Sequence, residues 1–127
     1  MEEAISKQVI HCAFEVSSKL GTGFLEKVYE RALCHELSAL GMRYEAQKTV
    51  SVMYKGIEIG NYVADLIVEQ RLLVELKAVS TFDKIHEAQV LNYLRATGLP
   101  VGLLLNFGRP KLGIKRIVWQ HDETENI

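Results

Sequence analysis

One of the most apolar segments of this sequence carries two charged side chains. The stretch RLLVELKAVS, residues 71–80, reads as a buried strand, yet it contains Glu75 and Lys77. Side chains two residues apart point to the same face of a strand, so the carboxylate and the ammonium group lie side by side. A carboxylate can bind a divalent cation, and a neighbouring lysine can stabilise a developing anion. Amid such apolar neighbours, a reactive site and a same-face pair of surface charges are equally good interpretations.

The preceding strand holds a second acid, Asp65, and the loop between the strands decides where this acid lies. A three-residue loop, 69–71, places Asp65 opposite Glu75, on the face that also carries Lys77. A two-residue loop instead pairs Asp65 with Leu76 and puts the two acids on opposite faces. Directly opposed carboxylates repel each other, and a divalent cation between them would offset the repulsion. The three-residue loop therefore predicts a metal site on the hairpin, and the alternative is a structural ion-pair network.

Two predicted helices offer further polar side chains for the same place. Glu26 lies early in one helix with Tyr29 one turn later, and Gln89 and Tyr93 lie four residues apart on another. Residues at this spacing share a helix face, so a polar Gln89 on a partly apolar face should meet a partner or a site. For Glu26 and Tyr29 the alternative is a first-turn acid favoured by the helix dipole and a core tyrosine. For Gln89 and Tyr93 the alternative is the edge of an ordinary amphipathic helix.

Hydrophobic spacing and turn residues predict the helices that position these side chains. Apolar residues at helical spacing predict helices from Ile5 to Leu20 and from Leu25 to Leu40, with Gly41 as the residue after the second helix. A third helix is predicted within STFDKIHEAQVLNYLRATG, where Ser80 and Asp83 have the spacing of a capping box.

The remaining segments have the patterns of strands. Residues 43–79 predict three or four short antiparallel strands, PVGLLLNFG predicts a central strand buried on both faces, and IKRIVW predicts one more. The order ααβββαββ predicts an α/β (α+β) fold in which helices flank a mixed β-sheet.

Length and composition predict one globular domain over residues 1–120, followed by a short acidic tail, 121–127. The N-terminus has no signal-peptide pattern, and no apolar run approaches the roughly 18 residues of a membrane span. We therefore expect a cytoplasmic protein with no membrane partner. Cys12 and Cys34 lack the spacing of metal ligands, and buried, reduced thiols are favoured over a disulfide.

The net charge of −1 by itself gives no support for a nucleic-acid partner. A basic cluster, Arg109, Lys111, Lys115 and Arg116, precedes the acidic tail. A solvated surface loop and strand explain this cluster at least as well as a grip on phosphates does.

Taken together, these motifs resemble the PD-(D/E)XK nuclease superfamily, and more closely the small GxxExxY proteins within it. The signature stands here as Gly23-Phe24-Leu25-Glu26-Lys27-Val28-Tyr29, followed by ADLIVE, VELKAV, HEAQVLNYL and GLLLNFG. The similarity runs from about residue 5 to Trp119. Ala64 replaces the proline of the family name, and Val63 stands where many relatives carry a basic residue.

The resemblance implies a restriction-endonuclease-like core with a metal site at a split between two strands. Asp65 and Glu75 would be the metal-binding acids, together with the carbonyl of Leu76, and Glu26 matches an acid that many members add from their first helix. Lys77 would be the catalytic lysine. The remaining motif residues, Gln89 and Tyr93 of the Q-x-x-x-Y element and Tyr29 of the signature, would support the site or contact substrate.

The function implied is a nuclease that uses one or two Mg²⁺ or Mn²⁺ ions and acts on DNA. The alternative is a catalytically silent module that keeps the fold and binds nucleic acid or a protein partner. A core this short leaves few residues for gripping a duplex, so we expect a homodimer or a protein partner to complete its binding surface.

Overall fold

The computed structural model describes residues 2–119, which form three helices and five strands in the expected order. The elements are α1 (Glu2–Leu20), α2 (Glu26–Ala39), β1 (Tyr44–Tyr54), β2 (Ile57–Val68), β3 (Leu72–Lys77), α3 (Lys84–Thr97), β4 (Val101–Asn106) and β5 (Gly113–Val118). The acidic tail, 121–127, lies outside the described residues. No helix within residues 2–119 is long and apolar enough to cross a membrane.

The five strands form one mixed sheet in sequential order, β1-β2-β3-β4-β5. The first three strands pair antiparallel, β3 pairs parallel with β4, and β4 pairs antiparallel with β5. A parallel pair needs a crossover connection, and α3 is that connection. The predicted fold class, a mixed sheet flanked by helices, is confirmed.

Helices cover both faces of the central strands. On one face, α1 and α2 pack against alternate residues of β3, in a core that includes Val9, Leu33, Leu37, Leu72, Val74 and Leu76. On the other face, α3 packs against the strands in a second core of Ala64, Ile67, Leu73, Val90, Leu94 and Leu104. Every residue of β4 is buried, as is all of β3 before Lys77. Burial on two faces explains why these strands are continuous apolar runs.

The sequence predicted the residue after α2 correctly and the cap at the start of α3 incorrectly. Gly41 follows α2 with φ 75°, the left-handed conformation expected of a residue after a helix. The capping box of α3 begins at Asp83, not at Ser80: the Asp83 side chain accepts from Ile85 N at 3.1 Å, and His86 Nδ1 accepts from Asp83 N at 3.2 Å. The prediction of Ser80 as the cap was therefore wrong by three residues.

Candidate metal centre

The β2–β3 hairpin has the register that the three-residue loop predicted. Val68 pairs with Leu72, and the backbone pairing continues to Leu66 and Val74. The turn places Glu69 and Gln70 at φ 53° and 57°, a left-handed conformation that few non-glycine residues adopt. Arg43, the residue before β1, stabilises this turn, because its N–H donates to Glu69 Oε2 at 2.6 Å and its carbonyl accepts from Glu69 N at 2.9 Å.

One residue beyond the Leu66–Val74 pair, the side chains of Asp65 and Glu75 accept hydrogen bonds from the neighbouring strand. Asp65 N donates to Glu75 Oε1 at 3.4 Å, and Leu76 N donates to Asp65 Oδ2 at 2.8 Å. The side chains thus lie between β2 and β3 and accept the N–H groups of the opposite strand. Asp65 and Glu75 come together as the hairpin register required.

Burial and charge make Glu75 an unusual carboxyl group. It is only 8% exposed, and burial, followed by the negative charge of Asp65, raises the pKa of Glu75 to about 9. The ammonium group of Lys77 acts in the opposite direction and lowers this pKa. A buried carboxyl beside a second one must hold a proton or meet a cation.

Glu26, the first residue of α2, reaches the end of β3. Its Oε2 accepts a hydrogen bond from Ala78 N at 3.3 Å, one residue beyond Lys77. Within residues 2–119, however, no three His, Cys, Asp or Glu side chains are grouped so that they could hold a metal ion. The structure therefore brings Asp65 and Glu75 together and places Glu26, the third predicted acidic ligand, at the C-terminal end of β3.

The chemistry of these donors fits a hard divalent cation. Carboxylate oxygens and backbone carbonyls are the ligands that Mg²⁺ and Mn²⁺ prefer, and the described site offers neither a thiolate nor an imidazole. A cation would also neutralise the like charges that raise the pKa of Glu75. The residues suited to hold it are Asp65 and Glu75, with Glu26 and the carbonyl of Leu76 as further oxygen donors.

A fourth acid, Glu30, lies near the pair and was missed by the sequence analysis. Glu30 is 7% exposed, and its Oε1 accepts a hydrogen bond from Gln47 Nε2 at 2.7 Å. Burial, followed by the charge of Asp65, raises the pKa of Glu30. Its spacing of four residues from Glu26 puts both acids on one face of α2, and this spacing is the signal that could have found it.

The backbone of β1 is irregular where it passes Asp65. Ala46 pairs with Leu66 and Lys48 with Ala64, so Gln47 lies opposite Asp65. Gln47 has φ 55°, a conformation that is strained for a residue with a Cβ. This irregularity accompanies the hydrogen bond from Gln47 to Glu30.

Tyr29 is a core residue that also fixes the loop before Glu26. Its ring is fully buried and stacks on Phe107 at 4.7 Å between centroids. Its hydroxyl donates to Gly21 O at 2.7 Å and accepts from Phe24 N at 3.2 Å. The loop needs this support because Gly21 and Gly23 both have positive φ angles, which other residues rarely adopt. Tyr29 therefore sets the position at which α2 and Glu26 begin.

A Tyr29→Phe variant is expected to lose about 1 to 2 kcal/mol of unfolding free energy, because the ring stays stacked while Phe24 N and Gly21 O lose their partner. Urea denaturation measures this loss. The matched control is Tyr54→Phe, at an exposed tyrosine, which should leave stability unchanged. Equal stability of the wild type and Tyr29→Phe would contradict the role of the hydroxyl.

Tyr93 of α3 meets Tyr62 of β2 on the sheet face that carries Leu73 and, by alternation, Glu75. The Tyr93 ring stacks on Tyr62 at 3.5 Å, and Tyr62 OH donates to Tyr93 O at 3.2 Å. Burial, then the charges of Glu75 and Asp65, raises the pKa of Tyr93. Gln89 is exposed one turn earlier, and none of the hydrogen bonds described for residues 2–119 involves its side chain.

Asn106, at the end of β4, is a second residue that the sequence analysis missed. It is 2% exposed, and its side chain accepts from Val79 N at 3.0 Å and from Gly108 N at 2.9 Å while donating to Val79 O at 2.9 Å. Phe107 N also donates to Lys77 O at 2.8 Å. These bonds fix the segment that follows Lys77, where Glu26 makes its contact. A polar residue closing the apolar run GLLLN was the available signal.

Comparison with known proteins agrees with this geometry. A family model described as the PD-(D/E)XK nuclease superfamily matches residues 3–117. The chain belongs to this superfamily. The expected restriction-endonuclease-like architecture, a mixed five-stranded sheet between helices, is confirmed with it. Members of this superfamily typically use divalent metals, in agreement with the oxygen donors of the site.

One solved structure is similar to this chain in fold. The match, "Crystal structure of SSO0001", has a TM-score of 0.55 at 18% identity and covers 76% of this chain and 51% of that chain. The chain thus spans about half the length of that protein, and the likeness shows the fold alone. No curated protein sequence matches the chain significantly.

Proposed function

We propose that this PD-(D/E)XK protein is a Mg²⁺- or Mn²⁺-dependent nuclease that hydrolyses phosphodiester bonds in DNA. The observation that carries the proposal is the pair formed by buried Glu75 and half-buried Asp65 between β2 and β3, in a chain of the nuclease superfamily. A buried carboxylate beside a second negative charge costs stability, so its presence needs a cation or a proton as compensation. The narrower GxxExxY grouping is part of the same proposal, resting on Gly23, Glu26 and Tyr29.

The role that we propose for each site residue follows from its position. Asp65, Glu75, the Leu76 carbonyl and Glu26 would hold one or two ions, which would polarise the phosphate and lower the pKa of bound water. Lys77 orients the attacking water and offsets negative charge in the transition state. Tyr93 and Gln89 line the approach from α3, where substrate is contacted.

The proposal extends to the setting in which this domain acts. Residues 1–120 form the nuclease domain, with the acidic tail 121–127 outside it. The protein acts in the cytoplasm, and its two free cysteines, buried Cys12 and half-buried Cys34, suit a reducing compartment. Further binding surface for DNA comes from a second copy or another protein, because the chain has no net positive charge.

A second candidate is a catalytically silent module that binds nucleic acid or a protein. Two observations favour it: within residues 2–119 no third acid joins the pair as a ligand group, and the net charge is −1. This candidate keeps the fold and the Asp65–Glu75 pair but cleaves nothing.

Calorimetric titration with Mn²⁺ tests the metal site directly. We expect the wild type to bind Mn²⁺ and Glu75→Ala to lose binding at least about 10-fold, because one of two central carboxylates is gone. Glu3→Ala, an exposed acid of α1, is the matched control and should bind as the wild type does. Wild-type protein that binds no Mn²⁺ would overturn the nuclease proposal.

Cleavage assays with Mn²⁺ then separate the two candidates. Plasmid, single-stranded DNA and RNA are incubated with wild type and with Glu75→Ala. Cleavage of DNA by the wild type alone supports the nuclease. Metal binding with every substrate left intact supports the silent module.

A further inference from the structure

The side chains of β1 change faces part-way along the strand. Tyr44 packs against the core on the α1 and α2 side of the sheet, and Val50 packs against the core beneath α3. Residues an even number apart share one face of a regular strand, so the alternation is broken between these two. Gln47 lies midway and is the residue of β1 with a positive φ. A left-handed residue within a strand re-aims the side chains beside it, so the break lies at Gln47.

Strand β2 changes faces at the same level of the sheet. Leu66 belongs to the core on the α1 and α2 side, whereas Ala64 belongs to the core beneath α3. This even spacing again requires a break in the alternation, and Asp65 lies at it. Since Gln47 lies opposite Asp65, the two strands break the alternation together.

The break takes Asp65 out of the regular ladder of backbone hydrogen bonds. The backbone pairing of β2 with β3 ends at Leu66, and Asp65 N donates instead to the Glu75 side chain at 3.4 Å. The Asp65 carboxylate accepts from Leu76 N at 2.8 Å, in the place of a backbone carbonyl. In a regular ladder the side chain of Asp65 would stand above or below the sheet. The break therefore accounts for the carboxylate that lies between β2 and β3.

A buried acid of α2 contacts the break. Glu30 is 7% exposed, and its Oε1 accepts from Gln47 Nε2 at 2.7 Å. A left-handed glutamine is strained and persists only where its surroundings fix it. A carboxyl group buried against a neutral amide is also costly, and an apolar side chain would fill the same place without that cost. Two unfavourable features joined by one hydrogen bond indicate a functional role.

We propose that Glu30 and Gln47 are positioning residues, which hold β1 at its break so that Asp65 stays between β2 and β3, an inference that rests on the proposed metal site. Neither residue has to touch the ion. Glu30 acts through Gln47, and Gln47 acts through the pairing of β1 with β2. Replacement of residues that orient metal ligands typically lowers metal affinity roughly 10- to 100-fold.

Three variants separate the hydrogen bond from the bulk of the protein. Glu30→Leu removes the acceptor and keeps an apolar group of similar size. Gln47→Gly removes the donor, and because glycine adopts φ 55° without strain, this variant should fold even if Glu30→Leu does not. Glu30→Gln keeps an acceptor oxygen for Gln47. Glu36→Leu, at a half-buried acid of α2, is the matched control.

Amide hydrogen exchange of the metal-free protein measures the position of Asp65. The Leu76 amide donates to Asp65, and the Leu104 amide of β4 is the internal reference. In Gln47→Gly and Glu30→Leu the ratio of the Leu76 rate to the Leu104 rate should rise about 10-fold, since loss of Asp65 exposes Leu76 locally. Glu30→Gln and the control should keep the wild-type ratio. General destabilisation accelerates both amides together, so an unchanged ratio in Gln47→Gly overturns the proposal.

Calorimetric titration with Mn²⁺ then connects this position to the metal. Glu30→Leu and Gln47→Gly should bind Mn²⁺ about 10-fold more weakly than the wild type, and Glu30→Gln should bind as the wild type does. An equal loss of affinity in Glu30→Gln and Glu30→Leu would make Glu30 itself a ligand and overturn its positioning role. Wild-type protein that binds no Mn²⁺ overturns the proposed function, while the exchange ratio still decides whether Glu30 and Gln47 position Asp65.

Discussion

A Lys77→Met variant is expected to bind Mn²⁺ at least as tightly as the wild type and to cleave DNA about 100-fold more slowly or worse. Lys77 contributes no oxygen ligand, so its loss leaves Asp65 and Glu75 in place. Its ammonium group lies near enough to Glu75 to lower the pKa of that carboxyl. A fixed positive charge at a forming transition state contributes roughly 100- to 1,000-fold to rate. Methionine keeps most of the length of the side chain and removes the ammonium group with its charge.

Rates of cleavage under saturating Mn²⁺, set beside calorimetric affinities, separate chemistry from binding. Lys7→Met, at an exposed lysine of α1, is the control and should cleave at the wild-type rate. Urea denaturation of Lys77→Met tests the alternative in which Lys77 belongs only to a structural ion-pair network. In that case the variant keeps or gains unfolding free energy, and the rate of DNA cleavage does not change. Full cleavage by Lys77→Met would remove Lys77 from the mechanism.

The pairing of Asp65 with Glu75 could be predicted because it depends only on the number of residues in the loop between two neighbouring strands. A strand alternates its faces with a period of two, so the length of the 69–71 loop alone decides whether Asp65 meets Glu75. The pairing of Val68 with Leu72 confirms that loop. The burial of β4 followed in the same way from its uninterrupted apolar run. The length of β1 and β2 did not follow, because exposed strand ends carry no burial pattern.

The missed residues depend on contacts between distant segments. Glu30 has the sequence context of an ordinary helix-surface acid, and its hydrogen bond comes from a distant segment, Gln47 of β1, which has a left-handed backbone. Asn106 has its role because the segment after β3 passes beside it, a result of the parallel pairing of β3 with β4. Spacing within one element can mark Glu30 as a candidate, but the contacts themselves arise from packing of the whole sheet, which that spacing does not encode.

Metal-free wild-type protein is expected to lose stability as pH rises from about 4.5 to 9, and Glu75→Gln should lose much less. Burial and Asp65 raise the pKa of Glu75 from 4.5 to about 9 in the folded state. Because the folded state holds this proton more tightly than the unfolded state, the stabilisation is complete below pH 4.5 and is lost as pH rises through 9. The loss by pH 9 is on the order of 5 kcal/mol.

Thermal unfolding in EDTA at several pH values measures this difference. Burial raises the pKa of Glu30 as well, so the comparison of Glu75→Gln with wild type isolates Glu75 from the other groups. Glu3→Gln, at an exposed acid, is the control and should follow the wild-type curve. Parallel curves for wild type and Glu75→Gln would show that Glu75 titrates normally and is not buried beside Asp65.

Saturating Mn²⁺ should reverse the pH dependence of the wild type. A carboxylate must lose its proton before it binds a cation, so Mn²⁺ affinity rises with pH over the range in which the metal-free protein weakens. Since binding to the folded state stabilises it more as affinity increases, the gain from Mn²⁺ should be largest at high pH. Glu75→Gln should show neither the loss in EDTA nor the gain in Mn²⁺. A gain from Mn²⁺ that persists in Glu75→Gln would place the metal elsewhere and contradict the assignment of Glu75 as a ligand.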